Sequence, residues 1–470
     1  MTHTHSSRTV VLLLLIVSMV VASCRKRDTV DTDPSLSLSF STDTVFFDTV
    51  FTSVGSVTQR LTVYNKHDGK LKISDILLAG GESSDYRINI DGRPVLEATD
   101  VEIPGHDSIL IFIRVTVDPT SENTPFVVRD SIVFLTNGNK QDVKLMTWGQ
   151  NARFIKYGSI EGNQVWDSLK PYVIFGYARV DTSASLTIMP GTRIYFHWNS
   201  SFAVSADATL KILGTREHPV RFQGDRLDPF YRDLPGQWQG IYLERGSQDH
   251  EIRYAVIKNG TFGISVDSAT ATGDPMLLLD NTIICNTTSD ALYAYSTKIL
   301  SSNCVLGNCG GSAIDIVKGG YYEFRQLTVA NYWSGSVRVV PSIYLSNYTG
   351  DGWGGTIPAP LEKAYFGNTI IYGVEDEEIM LDIAGGTTFD YTFDHALLKT
   401  AMDIAQEPHY ISCFANEDPL FVDPAACDFH IDTLSPAIGK GIPMGISSDL
   451  DGNPRGSTPS LGAYEFIPGR

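Results

Sequence analysis

The sequence predicts an all-β protein in two parts: a small antiparallel sandwich, then a long coil of parallel strands. Three observations predict it. The composition suits short strands joined by turns: 42% of residues are hydrophobic, only 19% are charged, and Gly reaches 41, with Ser, Thr, Asn and Asp at many polar positions. From residue 186 onward, no helical period separates the apolar runs. Within that half, a short motif returns about every 22 residues. A length of 470 residues allows two or three units. Lys+Arg is 36 against Asp+Glu 54, a formal charge of −18. A nucleic-acid partner is therefore not expected, since phosphate contacts need the opposite balance.

Residues 1–23 read as a signal peptide. The run Val10-Val-Leu-Leu-Leu-Leu-Ile-Val17 continues with interruptions to Ala22, too short for a membrane span of about 20 residues. It ends at Val21-Ala22-Ser23-Cys24. These small residues before a cysteine resemble a bacterial lipobox. The resemblance implies cleavage before Cys24 and lipidation of its sulfur, hence an outer-membrane lipoprotein facing the periplasm or the cell surface. The membrane is then a partner through the lipid anchor. Arg25-Lys26-Arg27 follows in place of the acidic run that marks many surface-exported lipoproteins of the Bacteroidetes type. Residues 24–35 read as a tether.

Residues 36–150 read as about seven strands. Leu61 to Asn65, Leu71 to Ile73 and Tyr86 to Ile90 are separated by turn residues His67-Asp68-Gly69 and Asp91-Gly92. Ile109 to Val117, Ile132 to Leu135 and Val143 to Trp148 follow. This density suggests an immunoglobulin-like sandwich, here without a cysteine. Asn65 at a strand end, Pro104-Gly105, Asp118-Pro119 and Asn137 resemble the bacterial Ig-like domains related to the Hydin/abnormal-spindle group.

Residues 151–470 read as the coil. Asp280-Asn281-Thr-Ile283-Ile284-Cys-Asn286 is matched by Ser302-Asn303-Cys-Val305-Leu306-Gly-Asn308 and by Arg325-Gln326-Leu-Thr-Val329-Ala-Asn331. Gly367-Asn368-Thr-Ile370-Ile371 reads as lying two steps further. A second strand per turn is read at Gly263 to Val266, Ala291 to Ala294 and Ala313 to Ile316. One coil per ~22 residues fits a right-handed parallel β-helix of roughly 12 coils. Inward Ile and Val would stack about 4.8 Å apart, and turn asparagines would accept left-handed geometry and bond to each other.

These coils, with the entry Pro190-Gly191-Thr192 and Trp238-Gln-Gly240-Ile241, resemble the pectate-lyase-like group. The end is more specific. Asp418-Pro-Leu-Phe-Val-Asp-Pro424, Ser435-Pro436-Ala437-Ile438-Gly439, Asp449-Leu-Asp451-Gly-Asn453-Pro-Arg455 and Leu461-Gly-Ala-Tyr464-Glu465 resemble choice-of-anchor-Q β-helix proteins. That resemblance implies final coils and a cap from about residue 415, and it fixes fold better than activity.

Chemistry is harder to read. The hydrolase motifs of pectin-degrading relatives are absent. For a lyase, Asp315, Lys318 and Arg325, with Glu323, could converge, and calcium would be its cation. Outward charges on a coil are by default solvated surface. An EF loop beginning at Asp449 fails, because its twelfth position is Ser460. An aspartate contact to Arg455, fixing the closing turn, is the better reading. Glu375 to Glu378 reads as a solvated loop. The five later cysteines are Cys285, Cys304, Cys309, Cys413 and Cys427. They are an odd set, with Cys304/Cys309 and Cys413/Cys427 the pairs close in sequence, and no metal site is expected. Aromatics are the stronger clue. Tyr231, Trp333, Tyr348 and Trp353 lie in or near segments long enough to project, and exposed rings stack on sugars. The expectation is a non-catalytic envelope lipoprotein that binds a polysaccharide or another envelope component. Its alternatives are an atypical polysaccharide lyase or glycoside hydrolase, and a structural or adhesive surface module.

Overall fold

A computed structural model describes residues 29–268 and 276–469. Residues 1–28, with Cys24 and the signal-peptide reading, lie outside the described residues. The chain divides into two compact units, Met1–Asn151 and Ala152–Arg470. Beyond strands, the described residues hold only two short 3₁₀ turns, Gly81–Ser83 and Pro424–Ala426.

The first unit is two five-stranded sheets over one core. One sheet runs in the order Ser39–Phe40, Gln59–Asn65, Asp107–Val115, Tyr86–Ile90, Arg93–Val95. The other runs Thr44–Phe51, Asn139–Gln150, Phe126–Thr136, Leu71–Leu78, Glu97–Ile103. Thr44–Phe51 and Asn139–Gln150 pair in parallel, and the remaining neighbours are antiparallel. Alternating residues such as Leu61, Val63, Ile111, Ile113, Ile73 and Phe134 fill the space between. Ten strands replace the seven expected. Arg93–Val95 carries no strand signal because it is short and exposed with a central Pro94, the composition of an edge. Asn65 does more than end a strand. Its amide donates to the carbonyls of Gly69, Ile103 and Pro104, and its oxygen accepts from His67 N. Gly105 is required beside it, since a Cβ there would sit 2.0 Å from the Asp68 carbonyl oxygen.

The second unit is a single 24-stranded sheet wound on itself, with parallel pairing between successive turns. Each full turn has three faces. The first face includes Val220–Gly224, Ala255–Lys258, Ile283–Thr287, Val305–Cys309 and Thr328–Asn331. The second includes Ile241–Leu243 and Ile264–Val266, then the starts of Leu292–Ser302 and Ile314–Arg325, then Ile343–Ser346. The third takes His250–Arg253, Leu277–Asp280 and the ends of those two long strands. The repeat pattern shows two strands per turn; the third is hidden because it runs into the second without a break. The first face climbs by parallel pairing from Arg153–Ile160 to Phe414–Ala415, eleven strands against the 12 coils expected.

Inside, like stacks on like. Phe324, Phe366, Phe393 and Tyr410 stack at centroid distances of 5.1, 4.9 and 5.2 Å. Each fully buried side chain of this size contributes about 1.5–3 kcal/mol. Corners are single residues in left-handed geometry: Tyr254, Asn281, Asn303, Gln326, Asn368, His395 and Ser412 between the third and first faces. Asn303 Nδ2 donates to Asn281 Oδ1 at 3.1 Å, 22 residues away. At the next corner Asn286 Nδ2 donates to Asn259 Oδ1 at 2.8 Å. The ladder of turn asparagines is therefore real, and it also accepts His and Ser. The step of Asn368 needs correcting. Thr328 pairs directly with Ile370, one turn on, because residues 332–360 lengthen that turn with two loops.

The double apolar motif has a physical reason that the repeat alone does not show. Ile284, Leu306, Val329 and Ile371 point into the coil. Their neighbours Ile283, Val305, Ala330 and Ile370 point outward. The C-terminal segment covers them with Phe421, Phe429, Ile431, Leu450, Leu461 and Tyr464. Residues 417–466 therefore form a strap along the first face, not final coils and a cap. Asn308 Nδ2 donates to Pro424 O at 2.6 Å, Asn303 Nδ2 to Ser448 O at 2.8 Å, and Asn368 Nδ2 to Ile442 O at 2.6 Å. Arg455 is the strap's polar centre, but an aspartate does not hold it. Its guanidinium reaches Glu465 Oε1 at 2.7 Å and Asn303 Oδ1 at 2.9 Å, and the carbonyls of Gly462 and Ala463. Asp449 instead accepts from Asn453 N and Glu465 N, closing the turn.

The Arg455–Glu465 pair is 2% and 12% exposed. Removing one partner of so buried a pair costs about 3–5 kcal/mol. Arg455→Ala should lower the melting temperature by several degrees and increase binding of an apolar dye. An unchanged melting curve would refute the strap's dependence on this residue.

Candidate functional site

The site is built by register. Along the second face, inward residues Ile264, Leu292, Ile314 and Ile343 alternate with outward ones. The outward row pairs Ala203 with Tyr242, Tyr242 with Ser265, Ser265 with Tyr293, Tyr293 with Asp315, Asp315 with Tyr344, and Tyr344 with Met380. Steps of about 4.8 Å spread Tyr242 to Tyr344 over roughly 19 Å. Tyr242 meets Phe262 edge-on at 4.7 Å. The Tyr344 hydroxyl donates to Asp382 Oδ2 at 2.7 Å, and Tyr348 OH donates to the same oxygen at 2.8 Å.

Asp315 sits between two of these tyrosines. Its Oδ1 is buried and has no hydrogen-bond partner among the described residues. Burial, with the charge of Asp290 added, pushes its carboxyl up to about 7. Asp290 is also raised by burial, although its Oδ1 accepts from Ser312 N at 2.8 Å. Gly311 is obligatory there, since a Cβ would lie 2.3 Å from Asp290 Oδ1. A Cβ on Gly310 would meet Trp333 Cε2 at 3.2 Å and the Thr288 carbonyl at 2.4 Å. Gly310-Gly311 thus leaves room for Trp333 and Asp290 against this turn. A carboxyl titrating near neutrality can donate or accept a hydrogen bond, or a proton, as pH changes.

The three residues proposed for lyase chemistry do not converge. Asp315 is on the second face. Lys318 is a left-handed corner residue whose ammonium lies 5.2 Å from the Tyr295 ring centroid. Arg325 is on the third face, paired with Glu323 at 2.5 Å. Glu323 also holds Lys363 at 2.6 Å. The acidic run is not a solvated loop either. Glu378 is fully buried and bound by Arg338, Ser342 and Glu375 N, while Glu377 accepts from Thr400 and Ala401. Among the described residues, no group of His, Cys, Asp and Glu could hold a metal ion.

The ligand candidates divide. Trp353 is 94% exposed, carried on a hairpin of Tyr348–Gly350 and Thr356–Pro358 that packs on Ile314–Arg325. Asp351 tightens its tip by accepting from Trp353 N and Gly355 N. Tyr348 is tied to Asp382. Trp333 is half-buried and donates to Ser336 Oγ at 3.0 Å. Tyr231 is covered by Arg226, 3.1 Å above its ring, so the exposed aromatic of that loop is Phe230. All five described cysteines are free. The pair in contact is Cys285 with Cys427, where the strap meets the first face; their mutual hydrogen bond raises the former and lowers the latter.

No family model matches the chain, and no curated protein matches it. Among solved structures, the catalytic domain of a GH87 alpha-1,3-glucanase, in complex with tetrasaccharides, is 11% identical. The match covers 76% of this chain and 90% of that one, with a TM-score of 0.20. A PapD-like domain of human CEP192 is 11% identical over 27% of this chain and 91% of its own, with a TM-score of 0.18. A family 123 glycoside hydrolase from Clostridium perfringens is 9% identical; the match covers 25% of this chain and 30% of that one, with a TM-score of 0.18. Likenesses this faint carry no argument about function.

Asp315 has a signed consequence. Its folded value is raised above the ordinary carboxyl value of 3.8, to about 7. The folded chain therefore keeps a proton that the unfolded chain releases. Its stabilising effect is fully present below about pH 4 and is lost as pH rises through about 7. Asp315→Asn should narrow the gap between melting temperatures at pH 5 and pH 8. An identical gap in the variant would contradict the assignment.

Proposed function

We propose that the second unit, a right-handed parallel β-helix, binds an extended polysaccharide along its second face. The first unit, an immunoglobulin-like sandwich over residues 36–150, spaces it from the membrane. The expected tether of residues 24–35 is shorter than read, because Val30 bridges to Lys70, and Asn137 and Asn139 hold the carbonyls of Asp31, Asp33 and Pro34. One observation carries the reading: tyrosines at Tyr242, Tyr293 and Tyr344 share one outward row, interleaved with Ser265 and the carboxyl of Asp315. The coil's rise per turn is close to the length of a sugar unit in an extended chain, so rings on every second turn can meet every second sugar. Trp333 at one edge and the Trp353 hairpin at the other would wall the groove. Anchoring through Cys24, and placement at the outer membrane, rest on the sequence alone.

Cleavage is a second reading, favoured by Asp315 titrating near neutrality beside Asp290, a pairing suited to acid and base roles in glycoside hydrolysis. Release of reducing ends from a bound polymer would decide for it.

Tyr293→Ala and Tyr344→Ala should each weaken polysaccharide binding about 2- to 10-fold, the scale of one aromatic contact, as measured by retardation in polymer-containing gels. Both side chains point outward, so melting should change little. Full binding by the double variant would sink the groove assignment. Cys24→Ala should move the chain from the membrane pellet to the soluble fraction. Persistence in the pellet would refute lipid anchoring at this residue.

A further inference from the structure

Resting on the glycan reading above, we propose that the second-face groove takes a chain of uncharged sugar units and rejects polymers of uronic acids. The lining sets the sign. Asp290, Asp315 and Asp382 stand beside the tyrosine row, and Asp267 follows the second-face strand one turn below Tyr293. Asp315, Asp267 and Asp290 act together on the Tyr293 hydroxyl, and Asp382 acts on that of Tyr344. Two of the cations nearby are neutralised by carboxylates, and the third, Lys318, stands off the row at the corner. Lys318 lies over the Tyr295 ring at the corner, Arg179 pairs with Glu244 at 2.7 Å, and Arg338 is sealed against Glu378.

Hydrogen bonding points the same way. Ionised carboxylates only accept hydrogen bonds. A neutral sugar offers hydroxyl donors all round its ring and stacks its C–H face on tyrosine. A uronate puts another acceptor-only anion where acceptors are already crowded, and like charges close together in a half-buried groove repel. Polygalacturonate and alginate are thus the polymers this lining disfavours.

The test is retardation of the full chain in gels cast with neutral polymers (glucans, mannans, xylans) or with polygalacturonate and alginate, at pH 8 and low salt. At least one neutral polymer should bind at least tenfold more tightly than either uronate polymer. Asp267→Asn, which lies outside the row, should then gain several-fold in uronate binding while keeping the neutral ligand. Should that variant fail to fold, the wild-type chain answers instead: about 1 M salt screens repulsion beyond about 3 Å, so uronate binding should rise with salt. Uronate binding equal to neutral binding at low salt, or falling as salt rises, overturns the proposal. Silence toward every polymer defeats the glycan reading itself, and this inference with it.

Discussion

The rest of the coil depends on vertical register. In the 24-stranded sheet each turn pairs in parallel with the turn below, so a residue's height and direction are inherited from its predecessor. Parallel pairing demands that each turn return to the same place, and the corners enforce this. A non-glycine residue in left-handed geometry costs about 1–2 kcal/mol, least for asparagine. The amide ladders Asn281–Asn303 and Asn259–Asn286 offset part of that cost and lock neighbouring corners to one height. Insertions are tolerated only where the chain leaves a strand and re-enters at the same register, as residues 332–342 and 347–360 do around Ile343–Ser346.

The outward tyrosine row arises from this constraint. No single turn contains it. Tyr242, Tyr293, Asp315 and Tyr344 come from separate turns and are neighbours only because their inward partners stack. Rigid strands set their spacing, while the loops with Trp333 and Trp353 shape the edges. Asp315 is an exception to the rule that outward charges on a coil are solvated: burial, with the charge of Asp290 added, pushes its carboxyl up to about 7.

What could be read from residues alone was what repeats locally. The N-x-I-I motif and its spacing of 22 expose the coil and the asparagine corners, because each recurs within one short window. The tyrosine row could not be seen. Its members sit on turns of unequal length, so no fixed period joins them. The strap was hidden for another reason. Ile283, Val305 and Ile370 look like ordinary strand apolar residues, and only the fold shows that they face away from the coil. Arg455 was legible as a structural residue, but its partner Glu465 was not, since the nearer aspartate Asp449 is the more obvious choice and is spent on the turn.

The strap also orders events in time. The turns it covers are complete as strands well before residue 417 exists, yet their first face then presents Ile283, Val305, Ala330, Ile370 and Leu397 to water. A chain emerging from its amino end can wind nearly all its coil and still expose a long apolar stripe with nothing to lay on it. Completion therefore waits for residues 417–466, and a chain that stops before them would be fully wound and sticky, an object for quality control to clear.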